Sequence, residues 1–184
     1  MFNRILALIL LICLSPVFLI VILLIRVEDG FPVFFVQKRV GVNYGFFNIY
    51  KFRSMRKDTP NVATHLLINT DSYLLKTGKF IRKYSLDELP NLINIIKGEM
   101  VFVGPRPALY NQDDLMALRV AAGVHKLKPG LTGWAQINGR DEISLVDKVA
   151  LEKEYLDKKS FSLDAKIFFL TFVKAFFKKE GVSH

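Results

Sequence analysis

Two adjacent acids, Asp87-Glu88, stand where a coil turns into an apolar-faced helix, in the run Ser85-Leu86-Asp87-Glu88-Leu89-Pro90. Ser85 and Glu88 have the spacing of a capping box, and acids favour a helix N-terminus, so one reading of the pair is purely structural. The same physics permits chemistry. A carboxylate in a first helical turn is held as an anion, and the free N–H groups there can bind phosphate. Such an aspartate is suited to attack phosphorus and form an acyl phosphate. A neighbouring glutamate could help hold Mg²⁺, which prefers carboxylate and phosphate oxygens. On this reading Asp87 is the nucleophile and Glu88 a metal ligand.

Gly104-Pro105-Arg106-Pro107 is the second group. Pro105 and Pro107 stiffen the backbone on either side of one arginine, whose planar fork suits bidentate phosphate recognition. A stiff turn with an exposed arginine is the alternative. Lys51, Arg53, Arg82 and Arg140 are further cations near element ends. Lys51, Arg82 and Arg140 are expected to contact phosphate or nucleotide, although lone cations are more often solvated surface charges.

These residues need elements to position them. Residues 31–37 are aromatic and β-branched and predict a strand, 41–45 a turn, and 46–52 the returning strand of a hairpin that ends at Lys51. Helical patterning covers 65–84, with Gly78 as a possible interruption. The helix that begins at Ser85 is closed by Gly98. Residues 101–107 predict a brief strand running into a stiff loop, 111–122 a helix, 128–140 a loop-rich stretch and 144–158 a charged, solvated helix. Asp113-Asp114 fits a helix start. No repeat or linker divides the chain, and 184 residues suffice for one domain with a core. The expected fold is α/β: mostly helical, with a short β-hairpin, in a single compact domain.

Residues 5–25 form an uncharged apolar stretch of about 21 residues, long enough to cross a bilayer core. A cleaved signal peptide is disfavoured by the length of the stretch and by the absence of a small-residue cleavage site before Arg26. Ser15-Pro16 lies at the middle. Pro16 removes a donor and presses on the Ile12 carbonyl, and the Ser15 hydroxyl can bond back one turn. Each arm is then about 15 Å long, roughly half the hydrocarbon thickness. A kinked span and a helix that dips in and returns both satisfy this, and Arg4 and Arg26 place a basic residue at each end. At the other terminus, 162–179 alternates phenylalanines with lysines, as in a helix lying at the lipid headgroups or packed on the core.

The hydrophobic fraction is 51% and the formal charge is +9. The cations lie beside apolar segments and in loops rather than in one block, which favours lipid and phosphate partners over nucleic acid. The single cysteine, Cys13, excludes an intrachain disulfide and a cysteine-based zinc site. There is no P-loop or dinucleotide glycine fingerprint, and His65, His125 and His184 have no metal-ligand spacing.

In order along the chain, Ser15-Pro16, Tyr50-Lys51-Phe52-Arg53-Ser54-Met55, Ser85-Leu86-Asp87-Glu88-Leu89-Pro90, Lys97-Gly98-Glu99-Met100, Val103-Gly104-Pro105-Arg106-Pro107, the stretch from Lys128-Pro129-Gly130 to Gly133-Trp134-Ala135-Gln136, and Asn138-Gly139-Arg140 together resemble the bacterial sugar transferases, the monotopic phosphoglycosyl transferases. The likeness is to small members made of the catalytic unit alone. It implies a re-entrant membrane helix over 1–26, kinked at Ser15-Pro16, and a catalytic domain over 27–184 on the cytoplasmic face of the bacterial inner membrane. It further implies transfer of a sugar 1-phosphate from a UDP-sugar to polyprenyl (undecaprenyl) phosphate, with UMP released, as the first membrane step of glycan synthesis. Asp87 would carry the covalent phosphosugar, and Mg²⁺ would act with Asp87-Glu88. A non-catalytic lipid-binding module and direct transfer without a covalent intermediate are the competing readings.

Overall fold

The computed structural model describes residues 1–59, 70–139 and 143–177. The apolar N-terminal stretch forms two helices, α1 (Phe2–Cys13) and α2 (Ser15–Asp29), bent by 61°. The bend has the anticipated causes. Pro16 occupies the first turn of α2, and the Ser15 hydroxyl donates to the Ile12 carbonyl at 2.7 Å. Among the described residues no single helix is long and apolar enough to cross a membrane; the bent pair meets that test of length and composition only when taken together.

The pair does not stand free of the rest. Ala7 on α1, and Phe18, Val21 and Ile25 on α2, are buried in the same clusters as residues from the centre of the chain. The opposite face leaves Ile5, Leu8, Ile9 and Ile12 exposed on α1, and Leu19, Ile20, Leu23 and Leu24 on α2. Polar ties fix the exit of α2. Arg53 donates to the Gly30 carbonyl at 2.8 Å, to the Pro32 carbonyl at 2.6 Å and to the Asp29 carboxylate. Arg53 is therefore a structural latch. Glu28 accepts from the backbone N–H groups of Lys76 and Thr77 at 2.6 and 2.9 Å, capping the next long helix from outside it.

Strands β1 (Phe34–Val40) and β2 (Phe46–Phe52) pair antiparallel, with Phe34 opposite Phe52 and Val40 opposite Phe46. The returning strand has the expected limits. The first begins three residues later than predicted, after a cis Phe31-Pro32 peptide bond. Helices α3 (Thr70–Tyr73) and α4 (Lys76–Lys83) follow. Gly78 does not interrupt α4: it is buried within it, and a Cβ there would lie 2.0 Å from the Ser54 carbonyl oxygen. The break falls instead at Leu74, which bridges to Met55. The earlier part of the predicted helix, 65–69, lies outside the described residues.

Helix α5 (Asn91–Lys97) ends on Gly98 at φ 83°, as anticipated, and Arg4 of α1 donates to the Lys97 carbonyl at that end. Asn94 is fully buried yet satisfied: it accepts from Tyr50 N–H and donates to the Asn48 carbonyl and to Glu99. It thereby locks α5 to β2. Strand β3 (Val101–Val103) pairs in parallel with β4 (Gly130–Thr132). The region 128–140 is thus more ordered than its glycines suggest, holding β4 and then α7 (Trp134–Asn138).

Helix α6 (Asp113–Ala121) packs against α8 (Leu145–Lys158), which the Ser144 side chain caps. Helix α8 is not wholly solvated. Val149, Glu152 and Tyr155 are buried, and Glu152 accepts from Arg119 at 2.8 and 2.5 Å. Helix α9 (Phe161–Phe177) buries Ile167 against the central cluster and joins Thr171 to Thr132 at 2.6 Å, while Phe161, Phe169 and Phe172 face outward. Each of the large buried side chains, such as Phe52, Ile81 and Ile95, contributes about 1.5–3 kcal/mol of burial. The result is one compact domain, mainly helical, with two small two-stranded sheets.

Candidate active site

The chain from Ser85 to Pro90 does not form the expected capped helix. A helix begun at Ser85 would place Pro90 in its second turn, where the ring presses on the Leu86 carbonyl and no N–H is available to bond it. Instead Ser85 adopts a left-handed conformation (φ 54°), Leu86–Glu88 makes a single 3₁₀ turn, and α5 starts afresh with Pro90 as its N-cap. The Ser85 side chain makes no capping bond. In a 3₁₀ turn successive side chains point about 120° apart. Leu86 packs towards the α2 cluster, Glu88 lines a cleft, and Asp87 is buried at 3% exposure.

The cleft lies between the hairpin, this turn and the Pro105–Pro107 loop. Lys51 reaches it from β2 and donates to Glu88 Oε1 at 2.7 Å. Arg106 approaches the same oxygen at 3.5 Å. Two of the four cations anticipated at phosphate or nucleotide, Lys51 and Arg106, are therefore brought together on one carboxylate. Pro105 and Pro107 are buried, and Pro107 lines the cleft. Gly104 N–H donates to the Thr132 carbonyl and Gly130 N–H to the Pro105 carbonyl, each at 2.8 Å. A Cβ on Gly130 would lie 2.2 Å from Gly104 N, so only glycine allows these backbones to meet and hold Arg106 over the cleft.

The electrostatics of Asp87 are opposite to those expected for a helix N-terminus. Burial, and then the neighbouring Glu88, push its carboxyl up to about 6, while Lys51 and Arg82 pull the other way. Its Oδ1 has no hydrogen-bond partner among the described residues. Arg82 donates to the Ser54 hydroxyl at 2.8 Å, and burial lowers its pKa against the pull of Asp87. Arg82 therefore sits on the Asp87 side of the turn, whereas Lys51 and Arg106 hold the Glu88 side. Arg140 lies outside the described residues.

Two residues lining the cleft escaped the sequence reading, Arg39 and Asn91. Arg39 and Lys51 share one face of the hairpin, since Arg39 pairs with Phe47 and Lys51 with Phe35. Placing β1 at 31–37 left Arg39 beyond the strand; the two-residue alternation from Lys51 across the correct register was the signal that could have found it. Asn91 is buried, and its Oδ1 has no partner.

No cluster of three or more His, Cys, Asp or Glu able to hold a metal occurs among the described residues. Mg²⁺ asks for less, being commonly held by one or two carboxylates together with substrate phosphates. The unpartnered Asp87 Oδ1 beside Glu88 fits that requirement.

Residues 1–178 match the model of the family described as bacterial sugar transferases. The chain is 43% identical over 182 residues to the uncharacterized sugar transferase EpsL of Bacillus subtilis, covering 99% of this chain and 88% of that one. It is 39% identical to the undecaprenyl-phosphate glucose phosphotransferase of Komagataeibacter xylinus, over 98% of this chain and 36% of the relative. It is likewise 39% identical to the UDP-glucose:undecaprenyl-phosphate glucose-1-phosphate transferase of Escherichia coli, over 96% of this chain and 40% of the relative. The chain thus spans well under half the length of the latter two.

Proposed function

The chain belongs to the bacterial sugar transferase family, and from that premise we propose that it transfers a sugar 1-phosphate from a UDP-sugar to polyprenyl phosphate through Asp87. One observation carries the site assignment. A buried carboxylate with an unpartnered oxygen adjoins a cleft in which Lys51 and Arg106 meet at Glu88. Two relatives matched across nearly all of this chain are named for glucose phosphotransfer with undecaprenyl phosphate, one of them from UDP-glucose, which supports the substrate classes.

In the first step an Asp87 carboxylate oxygen bonds to the β-phosphorus of the UDP-sugar. The bond from that phosphorus to the bridging oxygen breaks, and UMP leaves with the oxygen. In the second, an oxygen of polyprenyl phosphate attacks the same phosphorus and the aspartate is released. Arg106 and Lys51 offset charge on the diphosphate, which is the main demand of phosphoryl transfer. Arg82 keeps Asp87 ionised when the turn presents it, and Arg140 supplies a nucleotide contact. Asp87 and Glu88 would hold Mg²⁺, which when bound neutralises phosphate charge. Attack requires Asp87 to rotate out of its buried position, so the 3₁₀ turn is the element that moves.

The bent α1–α2 pair enters the cytoplasmic leaflet of the bacterial inner membrane and returns to the same face. Its exposed outer face of isoleucines and leucines, with Arg4 and Arg26 at its ends, supports that placement. The polyprenyl phosphate headgroup then meets the cleft at the membrane surface, and the outward phenylalanines of α9 suit the same boundary.

The burial of Asp87 favours one alternative, direct transfer with both acids serving only the metal. The two routes differ in kinetic form. With UDP-sugar and no acceptor, the covalent route releases UMP in a burst of up to one equivalent and leaves label on the Asp87 peptide. UMP that appears only after polyprenyl phosphate is added would rule the aspartyl intermediate out.

A further inference from the structure

The mechanism just described leaves one cation of the cleft unused. Arg39 is fixed there by its backbone: it bridges to Leu109, and the Val40 N–H donates to the Ala108 carbonyl at 3.0 Å. Strand β1 is therefore tied to the chain just after Arg106. The Arg39 side chain donates to the Pro107 carbonyl at 3.2 Å and to Gln37 Oε1 at 2.6 Å, and its buried Nε has no partner among the described residues.

The two arginines that are fully buried among the described residues each have a carboxylate as partner. Arg53 has Asp29 and Arg119 has Glu152. Arg39 hydrogen-bonds only neutral acceptors among the described residues, and it sits in a cleft with Arg106 and Lys51. Burial and the nearby Arg106 lower its pKa to about 10, and only Glu88 acts against them. Three cations thus line the cleft with one carboxylate, Glu88, which leaves the lining with an excess of positive charge. A diphosphate diester, with one negative charge on each phosphate, matches that surplus, and arginine's fork suits its oxygens.

We propose that Arg39 is a donor-diphosphate-binding residue that shares the pyrophosphate with Arg106 across the cleft. The proposal rests on the reading of this cleft as the sugar-nucleotide site. Holding the Pro107 carbonyl is a lesser task that a single N–H performs; the unpartnered Nε and the charge surplus call for an anion.

The test measures binding of UDP, inorganic pyrophosphate and uridine to the purified full-length protein, comparing wild type with Arg39→Gln and Arg39→Lys. Loss of a charge-assisted contact is expected to weaken UDP and pyrophosphate by about 10- to 100-fold in Arg39→Gln, with less loss in Arg39→Lys and no change for uridine. Unchanged UDP affinity in Arg39→Gln overturns the proposal, as does an equal loss for UDP and uridine, which marks a merely structural role. If Arg39→Gln does not fold, Arg39→Lys decides by the same UDP-against-uridine contrast. Wild-type protein that binds neither UDP nor pyrophosphate removes the donor-site reading itself. Wild-type binding with unimpaired variants removes only Arg39.

Discussion

Asp87 and Glu152 are nearly equally hidden from water, at 3% and 2% exposure, yet their surroundings treat them in opposite ways. Glu152, on α8, receives two hydrogen bonds from the buried Arg119 of α6, whose guanidinium also donates to the Arg106 carbonyl at 2.9 Å. That cluster closes on itself and ties α6, α8 and the arginine loop together. Asp87 keeps an unpartnered oxygen and a carboxyl raised to about 6, beside a glutamate claimed by two cations. A charge buried for stability is matched by its own chain, whereas a charge buried for chemistry is left short of partners that a ligand can supply.

The strongest way to break this contrast is Asp87→Asn. On the proposed covalent route we expect transfer to fall at least about 1000-fold, measured as UMP release, because the nucleophilic carboxylate becomes a neutral amide. The folded protein should nonetheless gain stability at pH 8, seen as a higher Tm, since the variant buries no charge. A variant that lost stability and kept its turnover would erase the distinction. At Glu152 the outcome should invert. Arg119→Ala is expected to cost about 3–5 kcal/mol by leaving a carboxylate buried alone, and the double change Arg119→Met with Glu152→Leu should restore most of it. Denaturant unfolding in detergent reads both, and a single variant within about 1 kcal/mol of wild type would mean that the pair is not holding α6 to α8.

A pH series sharpens the same comparison in metal-free protein. Asp87 binds its proton more tightly folded than unfolded, so its contribution to stability is complete below pH ~4 and is lost as pH rises through about 6. The loss should be on the order of 2–3 kcal/mol. Subtracting the Asp87→Asn curve from wild type isolates it from acids such as Glu28 and Asp29, whose lowered pKa values give the opposite slope. A flat difference between pH 4 and 7 would show that Asp87 is not held as its burial implies. The smallest effect belongs to the bent α1–α2 pair. Ser15→Ala removes one exposed hydrogen bond, costing less than about 1 kcal/mol, and combined with Pro16→Ala it should relax the 61° bend. Distances between spin labels placed at Phe2 and Val27, both exposed, would report it, and an unchanged distance would mean that packing on the domain, not Ser15-Pro16, sets the angle.

Local chemistry in this chain was legible where neighbours in sequence settle the outcome. Ser15-Pro16 bends its helix through its own hydroxyl, Gly98 ends α5 because glycine takes positive φ cheaply, and Ser144 caps α8. The 46–52 strand shows its alternation plainly. The residues that would carry the chemistry, Asp87-Glu88 and Pro105-Arg106-Pro107, also stood out, because their types are unusual at that spacing. Pro90 was a local signal that went unread: it forbids the helix that Ser85 and Glu88 otherwise suggest.

The sequence by itself determined which segments are apolar, where the chain bends and turns, and which acids and cations are available. Only the tertiary structure decided which of them meet. The β1–β2 register put Arg39 and Lys51 on one face, the β3–β4 pairing held Arg106 over Glu88, and packing around the 3₁₀ turn turned Asp87 inward while Glu88 faced the cleft. The reason is the range of the forces involved. Torsional preference and capping act over a few neighbouring residues, whereas the protonation and partnering of a buried charge depend on the dielectric and the ions around it, and those come from parts of the chain far apart in sequence.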